Sequence, residues 1–284
     1  MSAKTSLITG ANSGIGYATA EGLASQGHHI IMVCRDAKRG AAAQQAIIGQ
    51  TGNAKVDLLI ADLSSAKEIA RLAQQVKERY DKLDVLINNA GGLFSRYETN
   101  DEGFELTFAV NYLAPFLLTR LLLPKLQEVG AGRIVNVASI MQAKQFDLEA
   151  AAHPSTSAYR SMQAYKLAKT AVLMMTYHMA GELSDSGVTV NALHPGVIYT
   201  PQSARTAPAF ARPLMKLFMQ SPQQGARTSI YLATSDEVKG ATGKFYKSMK
   251  VARTVAIASN VNKQNELHEK SRLWMAAYLG DHTL

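Results

Sequence analysis

Short apolar runs alternate along the chain with longer segments in which apolar residues recur at helical spacing. The predicted strands are Ser6–Ile8, His29–Cys34, Lys55–Ile60, Leu83–Asn88, Arg133–Ala138 and Val188–Leu193. The predicted helices are Tyr17–Ala24, Ala37–Gly49, Ser64–Arg79, Phe104–Gln127, Ala158–Leu183 and Gln223–Thr234. This regular alternation predicts an α/β fold with a parallel sheet and helices on both faces. Ligands of such sheets bind beyond the carboxyl ends of the strands, so the residues that follow each strand are the first candidates for function.

A glycine-rich stretch, Thr9–Gly16, follows the first strand and reads T-G-A-N-S-G-I-G. Gly10 permits a tight turn, Gly14 lets the backbone approach a pyrophosphate, and Gly16 lets the next helix pack close to the strand. The free N–H groups and the dipole at the start of that helix attract a phosphate anion. Taken alone, the stretch also fits an ordinary strand-to-helix turn, because its glycine spacing differs from that of the commonest dinucleotide fingerprint.

Two arginines follow the second strand. Arg35 comes directly after Cys34, and Arg39 lies four residues further on. An NAD-preferring site usually has an acid at the end of this strand, where it binds the ribose 2′-hydroxyl. Two cations can instead hold a 2′-phosphate, so the sequence predicts NADP(H). The alternatives are a pair of solvated arginines, or an Asp36 that folds back onto the ribose instead of capping the next helix and so favours NAD.

Polar residues also follow the third and fourth strands. Asp62, which precedes Leu63, can accept a hydrogen bond from an adenine amino group, although aspartate is also a common helix cap. The stretch 88–92 reads N-N-A-G-G, and its small residues would let a cofactor ribose lie against the backbone. The alternative for this second stretch is a polar turn.

Three residues are candidates for proton transfer. Ser139 follows the fifth strand, and Tyr165 and Lys169 share one face of a helix at positions i and i+4. A tyrosine with its usual pKa of about 10 is a poor base at neutral pH, and a nearby ammonium together with an oxidised nicotinamide lowers that pKa. The phenol could then exchange a proton with an alcohol or carbonyl oxygen held by Ser139. Taken alone, such a pair is more often a surface pair, and Tyr159 has Gln163 rather than a cation at i+4.

Composition narrows the class of protein. The chain has 284 residues, of which 47% are hydrophobic, enough for a large core in a single domain. The basic residues behind its net charge of +8 are mostly scattered, which favours a solvated surface over nucleic-acid binding. The single cysteine, Cys34, and a first strand close to Met1 predict a cytoplasmic location without a secretory signal. The most membrane-like stretch, 109–126, is interrupted by two prolines and an arginine, so a buried helix is expected rather than a membrane span.

Together these residues resemble the short-chain dehydrogenase/reductase family, with motifs in family order from residue 4 to about residue 247. The matching pieces are Thr9–Gly16, Asp62, Asn88–Gly91, Asn111, Ser139, Tyr165 with Lys169, and Pro195–Gly196. The resemblance implies one Rossmann-type, doubly wound domain over residues 1–284 and hydride transfer at the nicotinamide C4. It also implies a substrate lid at about 200–222 and a C-terminal helical extension at about 260–280.

The same resemblance assigns roles to residues. Tyr165 would be the catalytic acid/base, Lys169 would also bind the nicotinamide ribose, and Asn111 would support a water that passes protons onward from Lys169. Ser139 completes the implied catalytic set, and no metal is expected. The implied cofactor-binding residues are Gly10, Asn12, Ser13, Gly14, Ile15, Gly16, Arg35, Arg39, Asp62, Leu63, Asn89, Ala90, Gly91, Tyr165, Lys169, Pro195, Gly196, Val197 and Thr200.

A narrower resemblance points to the retinol dehydrogenase-like branch of that family. It is carried by the segments 33–36, 111–119 and 191–196 and by Leu273-Trp274, although Tyr112 and Pro115 stand where the branch usually has histidines. Apolar side chains flank the expected substrate site, which predicts a hydrophobic carbonyl or alcohol as the substrate. The candidate substrate residues are Met141, Met162, Phe210 and Met215. Alternatively, these side chains pack the core or a homo-oligomer contact.

Two function classes follow from the sequence. The favoured one is an NADP(H)-dependent oxidoreductase, and the other is a cofactor-binding redox sensor or scaffold without turnover. Non-catalytic relatives tend to lose the tyrosine or the lysine, so an intact set of Asn111, Ser139, Tyr165 and Lys169 favours the enzyme.

Overall fold

A computed structural model describes residues 3–197 and 220–280. Eight strands form one sheet in the order β3-β2-β1-β4-β5-β6-β7-β8. The strands are β1 (Thr5–Thr9), β2 (His29–Cys34), β3 (Val56–Ile60), β4 (Val85–Asn88), β5 (Arg133–Val137), β6 (Thr189–His194), β7 (Phe245–Lys247) and β8 (Lys250–Val251). All neighbours pair in parallel except β7 and β8, which are antiparallel. The strand order reverses between β1 and β4, so a switch point lies beside the glycine-rich turn.

Helices cover both faces of this sheet, which confirms the predicted doubly wound Rossmann-type architecture. The α-helices are α1 (Gly14–Ala24), α2 (Ala37–Thr51), α3 (Ala66–Arg79), α4 (Leu106–Phe108), α5 (Ala114–Glu128), α6 (Leu148–Ala152), α7 (Ser161–Glu182), α8 (Pro222–Thr234), α9 (Val261–Trp274) and α10 (Ala276–Leu279). One apolar core lies under α1, α2 and α8, and the other under α3, α5 and α7.

The side chains of neighbouring residues in a central strand pack into opposite cores. In β1, Leu7 belongs to the core under α3, α5 and α7, and Ile8 belongs to the core under α1, α2 and α8. Leu86 and Ile87 of β4 divide in the same way, and all four side chains are completely buried. The sheet is therefore buried on both sides, which explains why its strands read as continuous apolar runs.

Several predicted boundaries were wrong. The long helix expected from Phe104 to Gln127 is divided: α4 ends at Phe108, a π-helical turn covers Ala109–Leu113, and α5 follows. The helix expected from Ala158 begins at Ser161, because a 3₁₀ turn spans Thr156–Ala158. Strands β7 and β8 were not predicted, since runs of three and two residues are too short to give a periodic signal.

The most apolar helical region lies inside the protein. Residues 106–128 are the one part of the described chain that is long and apolar enough to cross a membrane. In the structure, 89% of the most apolar window of this region is buried. The predicted buried helix is therefore present, and Arg120 within it is nearly enclosed.

Candidate active site

The glycine-rich turn connects the end of β1 to the start of α1. Gly10 has a φ of +67° and Gly14 a φ of +57°, a region that glycine adopts at little cost. The Gly10 N–H donates to the Val33 carbonyl (2.8 Å), which ties the turn to β2. A Cβ on Gly16 would overlap the Gly10 carbonyl and lie 2.5 Å from Asn89 Nδ2, so only glycine lets α1 pack this closely.

The rest of this turn faces the surface. Ser13 is exposed, and Asn12 and Ile15 are partly buried. Ser13 makes no side-chain cap for α1. The first N–H groups of a helix have no partner within the helix, so the start of α1 leaves donors available to an anion.

Thr9 joins this turn to the loop after β4. Its hydroxyl oxygen accepts from the Asn89 N–H (3.0 Å) and the Ala90 N–H (2.9 Å), and its carbonyl accepts from Asn89 Nδ2 (2.7 Å). Thr9 is 2% exposed, so these bonds are shielded from water. The predicted cofactor residues Gly10, Asn89 and Ala90 are thus brought together at the switch point.

Arg35 and Asp62 face each other across the ends of β2 and β3. Arg35 Nη1 lies 3.7 Å from Asp62 Oδ2, and the Arg35 side chain is 75% exposed. The other carboxylate oxygen of Asp62 accepts from the N–H (2.9 Å) and the hydroxyl (2.7 Å) of Ser64. Leu63 is partly buried beside it. Asp62 therefore keeps one outward oxygen, and Arg35 is free to swing towards an anion.

Asp36 caps α2, as the sequence indicated. Its Oδ1 accepts from the Arg39 N–H (2.9 Å), and the residue is in extended conformation. This use of the carboxylate removes it from the position that a ribose-binding acid would take. The Arg39 side chain lies on the exposed surface of the first turn of α2, one turn beyond Arg35.

Tyr165 and Lys169 lie next to each other on α7, with Ser139 opposite them. Lys169 Nζ is 5.7 Å from the centroid of the Tyr165 ring and donates to the Val137 carbonyl (2.8 Å). Lys169 and Ser139 are each 4% exposed. The surface-pair alternative is therefore wrong for Lys169, which reaches into the protein at the end of β5.

Burial acts against the charged forms of both residues of this pair. Burial raises the pKa of Tyr165, and its hydrogen bond with Ser139 opposes that rise. Burial lowers the pKa of Lys169 to about 8. The expectation that an ammonium together with an oxidised nicotinamide lowers the pKa of Tyr165 concerns the protein with its cofactor bound. In the protein alone, burial has the larger effect and raises that pKa.

Asn111 lies in the π-helical turn between α4 and α5 and is 1% exposed. Its Nδ2 donates to the carbonyls of Gly92 and Thr107 (2.8 Å each), and its Oδ1 accepts from the Gly92 N–H (3.1 Å). A Cβ on Gly91 would lie 2.5 Å from Asn111 Oδ1 and 3.4 Å from Lys169 Nζ. Asn111 and Lys169 thus both come close to the space that a side chain at Gly91 would fill. π turns such as the one that carries Asn111 are frequent at functional sites.

The end of β6 completes this edge of the sheet. Gly196 has a φ of +95°, and a Cβ there would overlap the side chain of Gln220. Val197 is 59% exposed, and its carbonyl accepts from the Gln220 N–H (2.9 Å). Pro195 precedes them after β6. Thr200, Phe210 and Met215 and most of the expected lid at 200–222 lie outside the described residues.

Apolar side chains are exposed near the candidate proton-transfer group. Met141 is 37% and Met162 42% exposed, and Ile140, which was not predicted, is 47% exposed. Met141 lies two residues after Ser139 and Met162 three residues before Tyr165. These side chains do not belong to either core, so the core-packing alternative is wrong for Met141 and Met162.

The sequence pattern does not point to Glu105, a completely buried acid close to this edge. Its carboxylate caps α4 by accepting from the N–H groups of Thr107 and Phe108 and lies 3.0 Å from the Tyr159 hydroxyl. Glutamate is not a preferred capping residue. The available signal was a lone acid directly before an apolar helix.

Comparison with known proteins identifies the class. The model of the short chain dehydrogenase family matches residues 4–209. The chain belongs to this family of oxidoreductases and to its retinol dehydrogenase-like branch. Retinol dehydrogenase 13 of Homo sapiens is 38% identical over 255 residues, which cover 87% of this chain and 77% of that protein. Retinol dehydrogenase 14 of Homo sapiens is 39% identical over 268 residues, covering 88% and 80%.

Solved structures agree with that assignment. The L-sorbose reductase of Gluconobacter frateurii, in complex with NADPH and L-sorbose, has a TM-score of 0.72 at 27% identity, with 87% of this chain and 95% of that chain covered. A variant of actinorhodin polyketide ketoreductase with NADPH has a TM-score of 0.69 at 28% identity, with 86% and 94% covered.

Proposed function

We propose that the protein is an NADP(H)-dependent oxidoreductase that interconverts a hydrophobic aldehyde or ketone and its alcohol. The observation that carries this proposal is the group of Ser139, Tyr165 and the buried Lys169, which lies at the same sheet edge as the glycine-rich turn. The family membership supports the redox class, and the NADPH complexes of two similar structures support the cofactor.

The residues present fit a dinucleotide. Positive φ angles at Gly10 and Gly14 keep the turn free of side chains in front of the α1 donors. A pyrophosphate would bind there, and Arg35 with Arg39 would hold the 2′-phosphate by charge-assisted hydrogen bonds. Asp62 offers its outward oxygen to the adenine. The loop at Asn89–Gly91 and Lys169 would bind the nicotinamide ribose.

The chain's own residues would handle the proton. When bound, the nicotinamide supplies or accepts the hydride. In the direction of reduction, the Tyr165 hydroxyl donates its proton to the carbonyl oxygen of the substrate, and Ser139 holds that oxygen by a hydrogen bond. The raised pKa of Tyr165 in the protein alone means that the phenol holds its proton at neutral pH until the substrate binds. Lys169, with its pKa of about 8, and Asn111 would return a proton to Tyr165 from solvent.

The substrate class rests on the exposed apolar side chains at this edge. Ile140, Met141 and Met162 offer a flexible apolar surface without a charged partner for the substrate. The retinol dehydrogenases among the relatives are named for an apolar alcohol. We therefore expect activity with all-trans-retinal or decanal and little with L-sorbose, the sugar of one similar structure.

The decisive experiment is a Tyr165→Phe substitution, assayed by NADPH absorbance with all-trans-retinal, decanal, cyclohexanone and L-sorbose. The variant should lose on the order of 100-fold or more of the wild-type rate, the scale of general acid–base catalysis. Its NADPH affinity, measured by fluorescence, should change less than about twofold, because the ring remains.

Tyr80→Phe is the matched control, since Tyr80 is a buried tyrosine whose hydroxyl bonds Asp57 (2.8 Å) near the start of the edge strand β3. It should keep wild-type activity. A Tyr165→Phe enzyme that still turns over would show that another acid does the work. NADPH binding without turnover of any compound would favour a sensor or scaffold.

A further inference from the structure

A second tyrosine, Tyr159, is bound to three neighbours near the proposed site. Its hydroxyl lies 3.0 Å from Glu105 Oε1, 3.2 Å from the Phe94 carbonyl and 3.4 Å from the Thr107 hydroxyl. A phenol has one proton, so Tyr159 donates to one oxygen at a time, and Thr107 can donate to the phenol oxygen. Its ring also packs edge-on against Tyr97, with centroids 5.5 Å apart.

Glu105 is held firmly enough to act as an anchor. Its side chain is completely buried and accepts from the N–H groups of Thr107 (2.9 Å) and Phe108 (2.8 Å). Its own N–H donates to the Ala152 carbonyl (2.9 Å). A buried carboxylate with these fixed donors cannot easily follow a moving partner, so Tyr159 is tied to a rigid point.

These bonds close a ring that includes Asn111 of the proposed site. From Tyr159, contacts lead to Phe94 in the loop after β4 and to Thr107 at α4. The Thr107 carbonyl accepts from Asn111, and Asn111 binds Gly92 of the same loop through two hydrogen bonds. Tyr159 itself lies two residues before α7, the helix that carries Tyr165.

We propose that Tyr159, anchored by Glu105, is a positioning residue that fixes the loop 92–97 against the start of α7 and thereby places the substrate opposite Tyr165. The loop follows β4 at the carboxyl edge of the sheet, next to the glycines that would bind the cofactor. This inference rests on the proposed function, and it predicts that the substrate, rather than NADPH, senses the loss of the Tyr159 hydroxyl.

The test compares Tyr159→Phe with Tyr80→Phe, because each removes one partly buried hydroxyl that bonds a carboxylate. Tyr159→Phe should raise the KM of the best carbonyl substrate at least fivefold and change the NADPH dissociation constant less than twofold. Amide hydrogen exchange in residues 93–97 should become at least tenfold faster. Tyr80→Phe should leave the KM, the NADPH dissociation constant and the exchange rates of residues 93–97 unchanged, even if both variants lower the melting temperature.

A double variant tests the anchor. If Tyr159 acts through Glu105, Tyr159→Phe combined with Glu105→Gln should raise KM no more than the stronger single change does. An unchanged KM in Tyr159→Phe, with a melting temperature lowered as in Tyr80→Phe, would mean a merely structural role and would overturn the inference.

The two proposals fail separately. An active Tyr165→Phe enzyme contradicts the proposed catalytic function and leaves the Tyr159 comparison valid. If no carbonyl compound is turned over at all, amide hydrogen exchange still tests the positioning role. An unchanged exchange rate of residues 93–97 in Tyr159→Phe overturns it.

Discussion

At the scale of single residues, Arg35 is distinguished by how little holds it. Its ion pair with Asp62 spans 3.7 Å between largely exposed side chains, so this pair contributes little to the free energy of folding. Asp36, the acid next to it, is occupied by the backbone of Arg39. The surface after β2 therefore offers a loosely held cation beside an acid that already caps α2, and this supports the proposed NADP(H).

The Arg35→Ala substitution tests this preference. Charge-assisted hydrogen bonds contribute about 1.5–3 kcal/mol, so we expect the NADPH affinity to fall by roughly tenfold or more. The NADH affinity should stay nearly constant. Fluorescence titration measures the dissociation constants of both cofactors and so gives the ratio of NADPH affinity to NADH affinity.

Lys38→Ala is the control, because Lys38 is an exposed cation in the first turn of α2, three residues after Arg35, and its loss changes the net charge equally. It should leave the ratio of the two affinities unchanged. An equal loss of NADPH affinity in both variants would mean that Arg35 acts only through general electrostatic attraction.

At the scale of elements, the close packing of α1 against β1 depends on Gly16. The overlap that a Cβ would cause involves the Gly10 carbonyl, which is backbone and cannot rotate away. The second neighbour is Asn89, whose side chain holds the loop after β4 to Thr9. A side chain at position 16 would thus disturb the turn and the neighbouring loop together.

Gly16→Ala should lower the free energy of unfolding by about 1–3 kcal/mol, as overpacking does, and weaken NADPH binding at least tenfold. Gly49→Ala is the matched control: it lies exposed in α2 with no atom within 4 Å of an added Cβ. That change should stabilise the protein by about 0.5–1 kcal/mol. Chemical denaturation and NADPH titration of both variants measure the two effects. Normal NADPH affinity in Gly16→Ala would contradict the packing argument.

Local signals explain which elements were predictable. Asp36 and Ser65 are ordinary capping residues, and both accept from the backbone of the helix that they precede. Glu68, three residues after Ser65, forms an ion pair with Arg71. Glu105 could not be foreseen as a cap, because its side chain is stabilised by tertiary contacts with Tyr159.

The candidate catalytic pair of Tyr165 and Lys169 was predictable because the two residues lie one turn apart on one helix, and the sequence shows that spacing directly. The π turn at Asn111 was not, since the chain there reads as a continuous apolar helix. The ring through Tyr159 joins segments more than 50 residues apart along the chain. Only the folded arrangement of these segments brings them together.

At the scale of the whole molecule, polar contacts join helix α9 to the core helices α5 and α7. Arg120 of α5 is 5% exposed, pairs with both oxygens of Glu182 (2.5 and 2.7 Å) and donates to His268 Nε2 (2.7 Å). The His268 ring stacks on His178 of α7, with centroids 4.0 Å apart. Nearby, Tyr112 and Ser271 share a buried hydrogen bond (2.7 Å).

This arrangement requires an unprotonated His268. The guanidinium already occupies the ring nitrogen, and burial together with Arg120 lowers the pKa of His268 to about 3. Burial also lowers the pKa of His178, although Glu182 opposes that effect. An unfolded histidine has a pKa of about 6.5. Below that pH the unfolded chain binds protons that the folded protein does not bind. The free energy of unfolding therefore falls as the pH falls from about 6.5 towards 3.

His268→Gln should reduce this acid sensitivity, because glutamine can still accept from Arg120 and cannot be protonated. One proton taken up only by the unfolded chain contributes about 1.4 kcal/mol per pH unit to the slope of stability against pH. Burial also lowers the pKa of His28, His178 and His194, so the variant should lose only the part of the histidine contribution between pH 6 and pH 4 that belongs to His268. Urea unfolding at several pH values measures the slope of the free energy of unfolding against pH.

His153→Gln is the control, since His153 is exposed and also contacts α9 through Trp274. It should keep the wild-type slope, whereas an unchanged slope in His268→Gln would mean that His268 already binds a proton in the folded protein.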